Sequence, residues 1–212
     1  PPDADHPHVL LSGDVMYDNS MHFAALATER STLLKTLKLS AGGYALVTVH
    51  RDHNTDVPER LNAIVGALTA LHDEHKLPLV LPVHPRTRKC FEQFLDASLR
   101  NALTARPSIH LIPPAGFLDM IALERDARLV MTDSGGVQKE AFFFGRPCVI
   151  PRPEPAWVEL VEHGQAALAG AAPARIAQAA AHFLTKGAPP CPSIFGDGHA
   201  AERICAELLR YR

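Results

Sequence analysis

The chain has 212 residues, 47% of them hydrophobic and 21% charged, with a formal net charge of -2, the mix of a globular protein with a sizeable core. So small a net charge argues against the broad basic field of a nucleic-acid binder or a membrane-surface protein, and an anionic ligand must be held by local groups. The four cysteines are widely spaced and form no C-x-x-C pair, which fits a reducing cytoplasm better than a zinc ribbon or a disulfide framework.

The chain opens Pro1-Pro2-Asp3-Ala4-Asp5, without a methionine or a signal-peptide pattern, and is expected to be a fragment of something longer. No apolar run approaches the roughly 20 residues that span a bilayer. An opening helix is predicted over 14–39. Strands follow at 44–50, 77–83, 109–112, 129–132 and 147–150, separated by helices at 58–75, 86–103, 116–126 and 135–144. A short strand at 166–169 and helices at 173–186 and 198–210 complete the pattern. Several strand runs are continuously apolar, as in strands buried on both faces of a parallel sheet. Strand–helix alternation with short connections implies right-handed βαβ units, hence an α/β fold with a Rossmann-like, doubly wound parallel sheet.

Ligands of such sheets bind outside the carboxyl ends of the strands, and the residues just past the strands are chemically loaded. They are His50-Arg51, His84-Pro85-Arg86, Pro113-Pro114-Ala115-Gly116, Asp133-Ser134-Gly135-Gly136 and Arg152-Pro153-Glu154. Gly135 and Gly136 remove Cβ atoms where backbone must approach a ligand, and allow positive φ if the turn needs it. The helix that follows offers unpaired N–H groups and the positive end of its dipole to a phosphate, and Ser134 can add a hydroxyl. The plainer reading of the same turn is a capped helix, with Asp133 or Ser134 as N-cap and Glu140 solvated.

Arg51 can neutralise phosphate oxygens bidentately, and His50 can stabilise or protonate a departing diphosphate oxygen. His84 alone reads as a structural strand-end residue. The loop over 113–117 can hold a flat base through its backbone and the Phe117 ring, or be only a turn. Phe195-Gly196-Asp197-Gly198 reads as a turn with Asp197 capping the last helix. His53 completes an H-x-x-H pattern without metal-ligand support; with 12 histidines in the chain such pairs, like His6 and His8, arise by chance, and no metal is assigned.

Six segments now stand in register: Ser12-Gly13-Asp14-Val15-Met16-Tyr17-Asp18, Thr48-Val49-His50-Arg51, Pro82-Val83-His84-Pro85, Thr132-Asp133-Ser134-Gly135-Gly136-Val137-Gln138-Lys139-Glu140, Trp157-Val158-Glu159 with Gly164, and Phe195-Gly196-Asp197-Gly198 with Arg203-Ile204. In order and spacing they resemble the C-terminal half of the non-hydrolysing UDP-N-acetylglucosamine 2-epimerases. The resemblance implies one domain of a two-domain, glycosyltransferase-B-like fold. It divides the chain into an N-terminal segment with interdomain helix (1–40), a Rossmann-like UDP-binding domain (41–196) and a C-terminal helix (197–212).

It also implies an isomerase of nucleotide-sugar and polysaccharide biosynthesis, which inverts C2 of a UDP-N-acetylhexosamine by eliminating UDP and adding it back. On this pattern His50 and Arg51 are catalytic, facing the phosphate and sugar. Ser134, Gly135 and Gly136 hold the diphosphate, Glu140 the ribose and the loop with Phe117 the uracil, while His84, Arg152 and Glu159 complete the UDP-sugar site. No cofactor or metal is implied. The partners are the UDP-sugar, the missing N-terminal domain and, as a homodimer, a second copy; neither nucleic acid nor membrane is expected.

Two departures bear on activity. The family reads Arg-x-x-Thr-Glu-Arg-Pro-Glu, or a variant ending Glu-Thr-Glu-Trp-Val-Glu, where this chain reads Arg152-Pro153-Glu154-Pro155-Ala156-Trp157-Val158-Glu159. Pro155 and Ala156 remove a hydroxyl and a carboxylate. The family's catalytic carboxylates lie in the N-terminal domain, so the isolated chain is expected to bind UDP without turnover. The alternatives are the nucleotide-binding domain of a glycosyltransferase, against which the pairing of Asp133-Ser134-Gly135-Gly136 with His50-Arg51 argues, and a degenerate non-catalytic nucleotide-sugar module, motivated by Pro155 and Ala156.

Overall fold

The computed structural model describes residues 9–210. The outer ends of the two expected terminal segments, with His6 and His8, lie outside the described residues. Asp14 starts helix α1 (Val15–Arg30), its carboxylate accepting the Met16 N–H at 2.7 Å, as an N-cap does. The expected helix over 14–39 stops at Ser31, which is extended at φ -76 and ψ 127. The Ser31 hydroxyl donates to Asp119 at 2.6 Å, a side-chain bond that competes with helix continuation. Helix α2 (Leu33–Thr36) follows the break.

Strand β1 (Ala45–Thr48) leads through short helix α3 (Asp52–Thr55) into α4 (Pro58–His75), which has proline in its first turn and ends at Lys76 in the left-handed region, φ 51. After β2 (Leu79–Pro82), the helix expected over 86–103 is two, α5 (Pro85–Phe94) and α6 (Ala97–Ala105). Asn62 brackets the break, donating to Phe94 O and accepting from Asp96 N, both at 2.8 Å. It satisfies the backbone groups that a broken helix leaves open.

The chain continues through β3 (Ile109–Ile112), α7 (Phe117–Asp126), β4 (Leu129–Thr132), α8 (Gly135–Phe143) and β5 (Cys148–Ile150). A helix not expected from the sequence, α9 (Val158–Glu162), precedes β6 (Ala166–Leu168), α10 (Pro173–Lys186) and α11 (Ala200–Leu209).

The six strands form one parallel sheet in the order β3-β2-β1-β4-β5-β6. Its two faces feed separate cores. Ala45 and Val47 pack with α4 and α10, whereas Leu46 packs with Leu123 of α7 and Ala141 of α8. Both faces of β1 are thus dry, which is why its sequence is continuously apolar. Each such Leu or Val contributes about 1.5–3 kcal/mol by leaving water.

Strand order reverses between β1 and β4, and the crevice beyond their carboxyl ends is the topological switch point where such sheets take ligands. On the far side of α8, the two ends of the described chain cross. Gly13 and Gly196 have φ +94 and +95, and a Cβ on Gly196 would lie 3.0 Å from Gly13 Cα. Only glycine fits so close a crossing in that conformation. Asp14 N donates to Phe195 O at 2.9 Å beside it.

Candidate active site at the switch point

Asp133 ends β4 fully buried, and it is the hub of the crevice rather than a helix cap. Its carboxylate accepts His50 N at 3.1 and 3.2 Å, Arg51 N at 3.1 Å and Asn54 Nδ2 at 2.9 Å. His50 Nδ1 lies 3.3 Å from Oδ1 of the same group. Asn54, also fully buried, bridges onward to Pro151 O at 2.8 Å and accepts from the Arg60 guanidinium at 3.0 Å. The loops after β1, β4 and β5 are thereby tied at one point. Charge-assisted bonds of this kind are about twice as strong as neutral ones.

Arg86 holds the His50 loop from outside, donating to His50 O at 3.3 Å and Thr55 Oγ1 at 3.2 Å while pairing with Asp56 at 2.5 Å. Thr48 and Thr132 share a hydroxyl bond of 2.6 Å across the two strand ends, and Thr132 Oγ1 accepts Ser134 N at 3.0 Å. The Ser134 hydroxyl makes no capping bond to α8. It and the first-turn N–H groups of Gly135, Gly136 and Val137, which have no acceptor inside the helix, are available to an anion.

Neither glycine of this turn has a positive φ, so conformational freedom is not what requires them. Close approach is. A Cβ on Gly135 would meet Ala156 Cβ at 3.1 Å, whereas one on Gly136 would make ordinary contacts with Met16 Cε at 3.6 Å and Ser134 Oγ at 3.8 Å. Trp157 Nε1 donates to Gly135 O at 2.9 Å and fixes the turn from behind. Lys139, buried, pairs with Asp14 and lies 3.6 Å from the Trp157 ring centroid and 4.5 Å from that of Phe195.

A cavity of about 460 Å³ opens beside the turn, lined among others by Thr48, His50, His84, Pro114, Met120 and Val137. His84 has the structural role read for it, its Nδ1 accepting Arg86 N at 3.3 Å as cap of α5, and the residue also lines the cavity. Phe117 is not among the lining residues; its ring is half exposed and meets Phe23 edge-on at 5.0 Å, while Pro114 and Met120 face the cavity instead. Arg152 sits at the end of β5 with Nε buried and without a hydrogen-bond partner among the described residues. Glu159 is exposed in the first turn of α9, outside the lining. His53 is held below the usual histidine range by burial first and then by the Arg60 charge, with Arg152 acting in the same direction.

Glu140 is not a solvated helix residue. Burial raises its carboxyl above the usual range, and it meets Glu124 of α7, itself 1% exposed and raised well above that range by burial and by Glu140. Asn54, Met120 and Glu124 are the functional candidates that sequence reasoning did not single out. Glu124 left a signal: it is the acidic member of the otherwise apolar run Ile121-Ala122-Leu123.

The doubly wound sheet in the order 3-2-1-4-5-6, with an uncapped glycine turn at its switch point, is a Rossmann-like α/β architecture and matches one half of a glycosyltransferase-B-like fold. The profile of the UDP-N-acetylglucosamine 2-epimerase family matches residues 3–209. The chain belongs to that family, whose members are isomerases. It is 42% identical over 198 residues to the UDP-2,3-diacetamido-2,3-dideoxy-D-glucuronate 2-epimerase of Pseudomonas aeruginosa, covering 93% of this chain and 52% of that protein. It is 38% identical over 200 residues to a UDP-N-acetylglucosamine 2-epimerase homolog of Methanococcus maripaludis, covering 93% and 53%. The UDP-GlcNAc 2-epimerase of Methanocaldococcus jannaschii, solved in complex with UDP-GlcNAc and UDP, superposes with a TM-score of 0.83 at 30% identity, covering 99% of this chain and 56% of that one. The chain spans about half the length of the curated relatives it matches.

Proposed function

We propose that this chain is the UDP-holding half of an enzyme that inverts C2 of a UDP-N-acetylhexosamine. The observation that carries the reading is the uncapped turn at Ser134, Gly135 and Gly136, which faces the switch point with His50 and Arg51 fixed beside it by Asp133. In the reaction a base removes the C2 proton, the C1–O bond breaks, and UDP leaves as a C1=C2 double bond forms. Reprotonation at the other face of C2 and return of UDP to C1 complete the inversion.

The charge that develops on the departing diphosphate falls on preorganised N–H groups, the Ser134 hydroxyl and the Arg51 guanidinium, which is the arrangement that lowers such a barrier. His50, its Nδ1 turned to Asp133, presents its other nitrogen for the leaving oxygen. The cavity beyond His84, Pro114 and Met120 takes the uridine, with Glu140 on the ribose. Arg152 and Glu159 stand on the β5 side, toward the sugar. Residues 1–40 and 197–212 flank the UDP-binding domain and join it to the part that supplies the acids for C2. The four free thiols suit a reducing cytoplasm, and the family resemblance supports a homodimer.

A second reading of the sugar follows from the Pseudomonas relative: at 42% identity, a 2,3-diacetamido uronate is the substrate to test beside UDP-GlcNAc. The deciding experiment is proton NMR of each UDP-sugar in deuterated buffer with the full-length protein. Inversion with deuterium entering C2 is expected; transfer of the sugar to an acceptor would replace this reading with a glycosyltransferase. Calorimetry on the isolated chain should show UDP binding without turnover.

A further inference from the structure

Glu124 is 1% exposed, in the last turn of α7, a helix that packs on α8. No N–H or O–H group of the described residues reaches its Oε2. An ionised carboxylate so placed would be both desolvated and without a donor, an arrangement that costs several kcal/mol. A carboxylic acid in the same place needs only an acceptor, and the Glu140 carboxylate of the adjoining helix α8 is the group that acts on it most directly. Two like charges in contact cannot both ionise, so such a pair keeps one proton. The proton belongs on the deeper member. Glu140 lies nearer the surface and is the less strongly raised of the two; the acid beside it acts to lower its carboxyl.

We propose that Glu124 is a positioning residue for nucleotide recognition: as a buried acid it donates its O–H to the Glu140 carboxylate and aims that group at the ribose hydroxyl pair. This rests on the reading above that Glu140 meets the ribose. The arrangement has a chemical consequence. With one lone pair of Glu140 occupied from behind, the remaining ones face outward at a fixed angle, which favours a ligand that brings two hydroxyls over one that brings a single hydroxyl. Glu124 thus sets the preference for a ribonucleoside diphosphate without touching it.

The test compares UDP with 2′-deoxyuridine 5′-diphosphate by calorimetry on the intact protein, with thermal unfolding recorded on each sample. Wild type is expected to prefer UDP by about tenfold, the worth of one hydrogen bond to a charged group. Glu124→Gln, whose amide N–H replaces the acid O–H, keeps that ratio, and Glu124→Met, which fills the same space without a donor, brings it close to one. A merely structural role would lower both affinities together and leave the ratio unchanged. If Glu140→Ala abolishes the ratio while a folded Glu124→Met retains it, the role of Glu124 is overturned and the ribose contact stands. If wild type binds UDP without any preference, or Glu140→Ala keeps it, the ribose reading fails and this one with it. Infrared spectroscopy gives an answer even should the methionine variant not fold: a protonated-carboxyl stretch at neutral pH that disappears in Glu124→Gln is expected, and its absence from wild type overturns the proposal.

Discussion

Replacing Gly136 by alanine separates folding from ligand binding at the phosphate turn. The added Cβ would lie 3.6 Å from Met16 Cε and 3.8 Å from Ser134 Oγ, ordinary contact distances. The backbone there is not in the left-handed region, so alanine fits without strain. Glycine in a helix is worth about 0.5–1 kcal/mol less than alanine. The first turn takes the low end of that range, and the melting temperature should rise by about 1–2 °C. A diphosphate seated on the turn beside Ser134, as proposed above, would be crowded by a methyl 3.8 Å from the Ser134 hydroxyl. Loss of one hydrogen bond to a charged oxygen is worth about 1.5–3 kcal/mol, or roughly 10- to 100-fold in UDP affinity. Calorimetry with UDP and a thermal melt on the same sample measure both quantities. Unchanged UDP affinity in a folded Gly136→Ala protein would refute placement of the diphosphate on this turn. Gly135→Ala is the contrast, because its Cβ meets Ala156 Cβ at 3.1 Å. Overpacking of about 1–3 kcal/mol should lower stability and binding together.

Asp133→Ala removes the acceptor of three donors, His50 N, Arg51 N and Asn54 Nδ2; a loss of about 3–6 kcal/mol is expected in urea unfolding, with Asp133→Asn intermediate. Lys139→Met leaves the Asp14 carboxylate without its ion pair. A broken pair of this burial is worth about 2–4 kcal/mol, at the low end because Asp14 keeps the Met16 N–H, and a thermal melt should fall by roughly 5–15 °C. For Glu124 and Glu140 the folded carboxyls are raised above their unfolded values, so above about pH 4.3 the native chain binds more protons than the unfolded one. The stability they contribute is fully present below that pH and is lost as pH rises through the folded values. Urea midpoints of wild type relative to Glu124→Gln should therefore fall as pH rises above about 4.3, with the glutamine variant gaining on wild type throughout that rise.

The sheet was legible because buried parallel strands are short continuous apolar runs, and the residues after each run carried the chemistry. The helix breaks were not. Ser31 ends α1 by bonding Asp119, 88 residues away, and Asn62 brackets the break before α6 from its place in α4. Such partners exist only after folding. The same reason hid the role of Asp133. Read along the chain it is a residue before a helix, a natural cap; in the sheet β4 lies beside β1, and its carboxylate turns sideways to the N–H groups of the neighbouring loop. The positive φ allowed for at Gly135 and Gly136 is not used; the tight contact at Gly135 is with Ala156, a residue its chain neighbours do not reveal. Phe117 had the composition of a base-stacking residue, yet α1 offers it Phe23 as an aromatic partner instead.

The interactions around the turn also say which side of the reaction this domain can serve. Trp157 holds Gly135 from its carbonyl, Thr132 holds Ser134 from its N–H, and Asp133 holds His50 and Arg51 by their backbones. The backbones of Ser134, Gly135, His50 and Arg51 are therefore fixed by neighbouring side chains, and Asp133 also meets the His50 imidazole through its Nδ1 at 3.3 Å. Fixed dipoles of this kind stabilise developing negative charge without rearranging when it appears. Removing and returning a proton at carbon asks for the opposite: a basic group, and exclusion of water while the double bond exists. Among the described residues no carboxylate lines the cavity beside the turn, and Asp133, buried next to it, is occupied by the backbone N–H groups of His50 and Arg51.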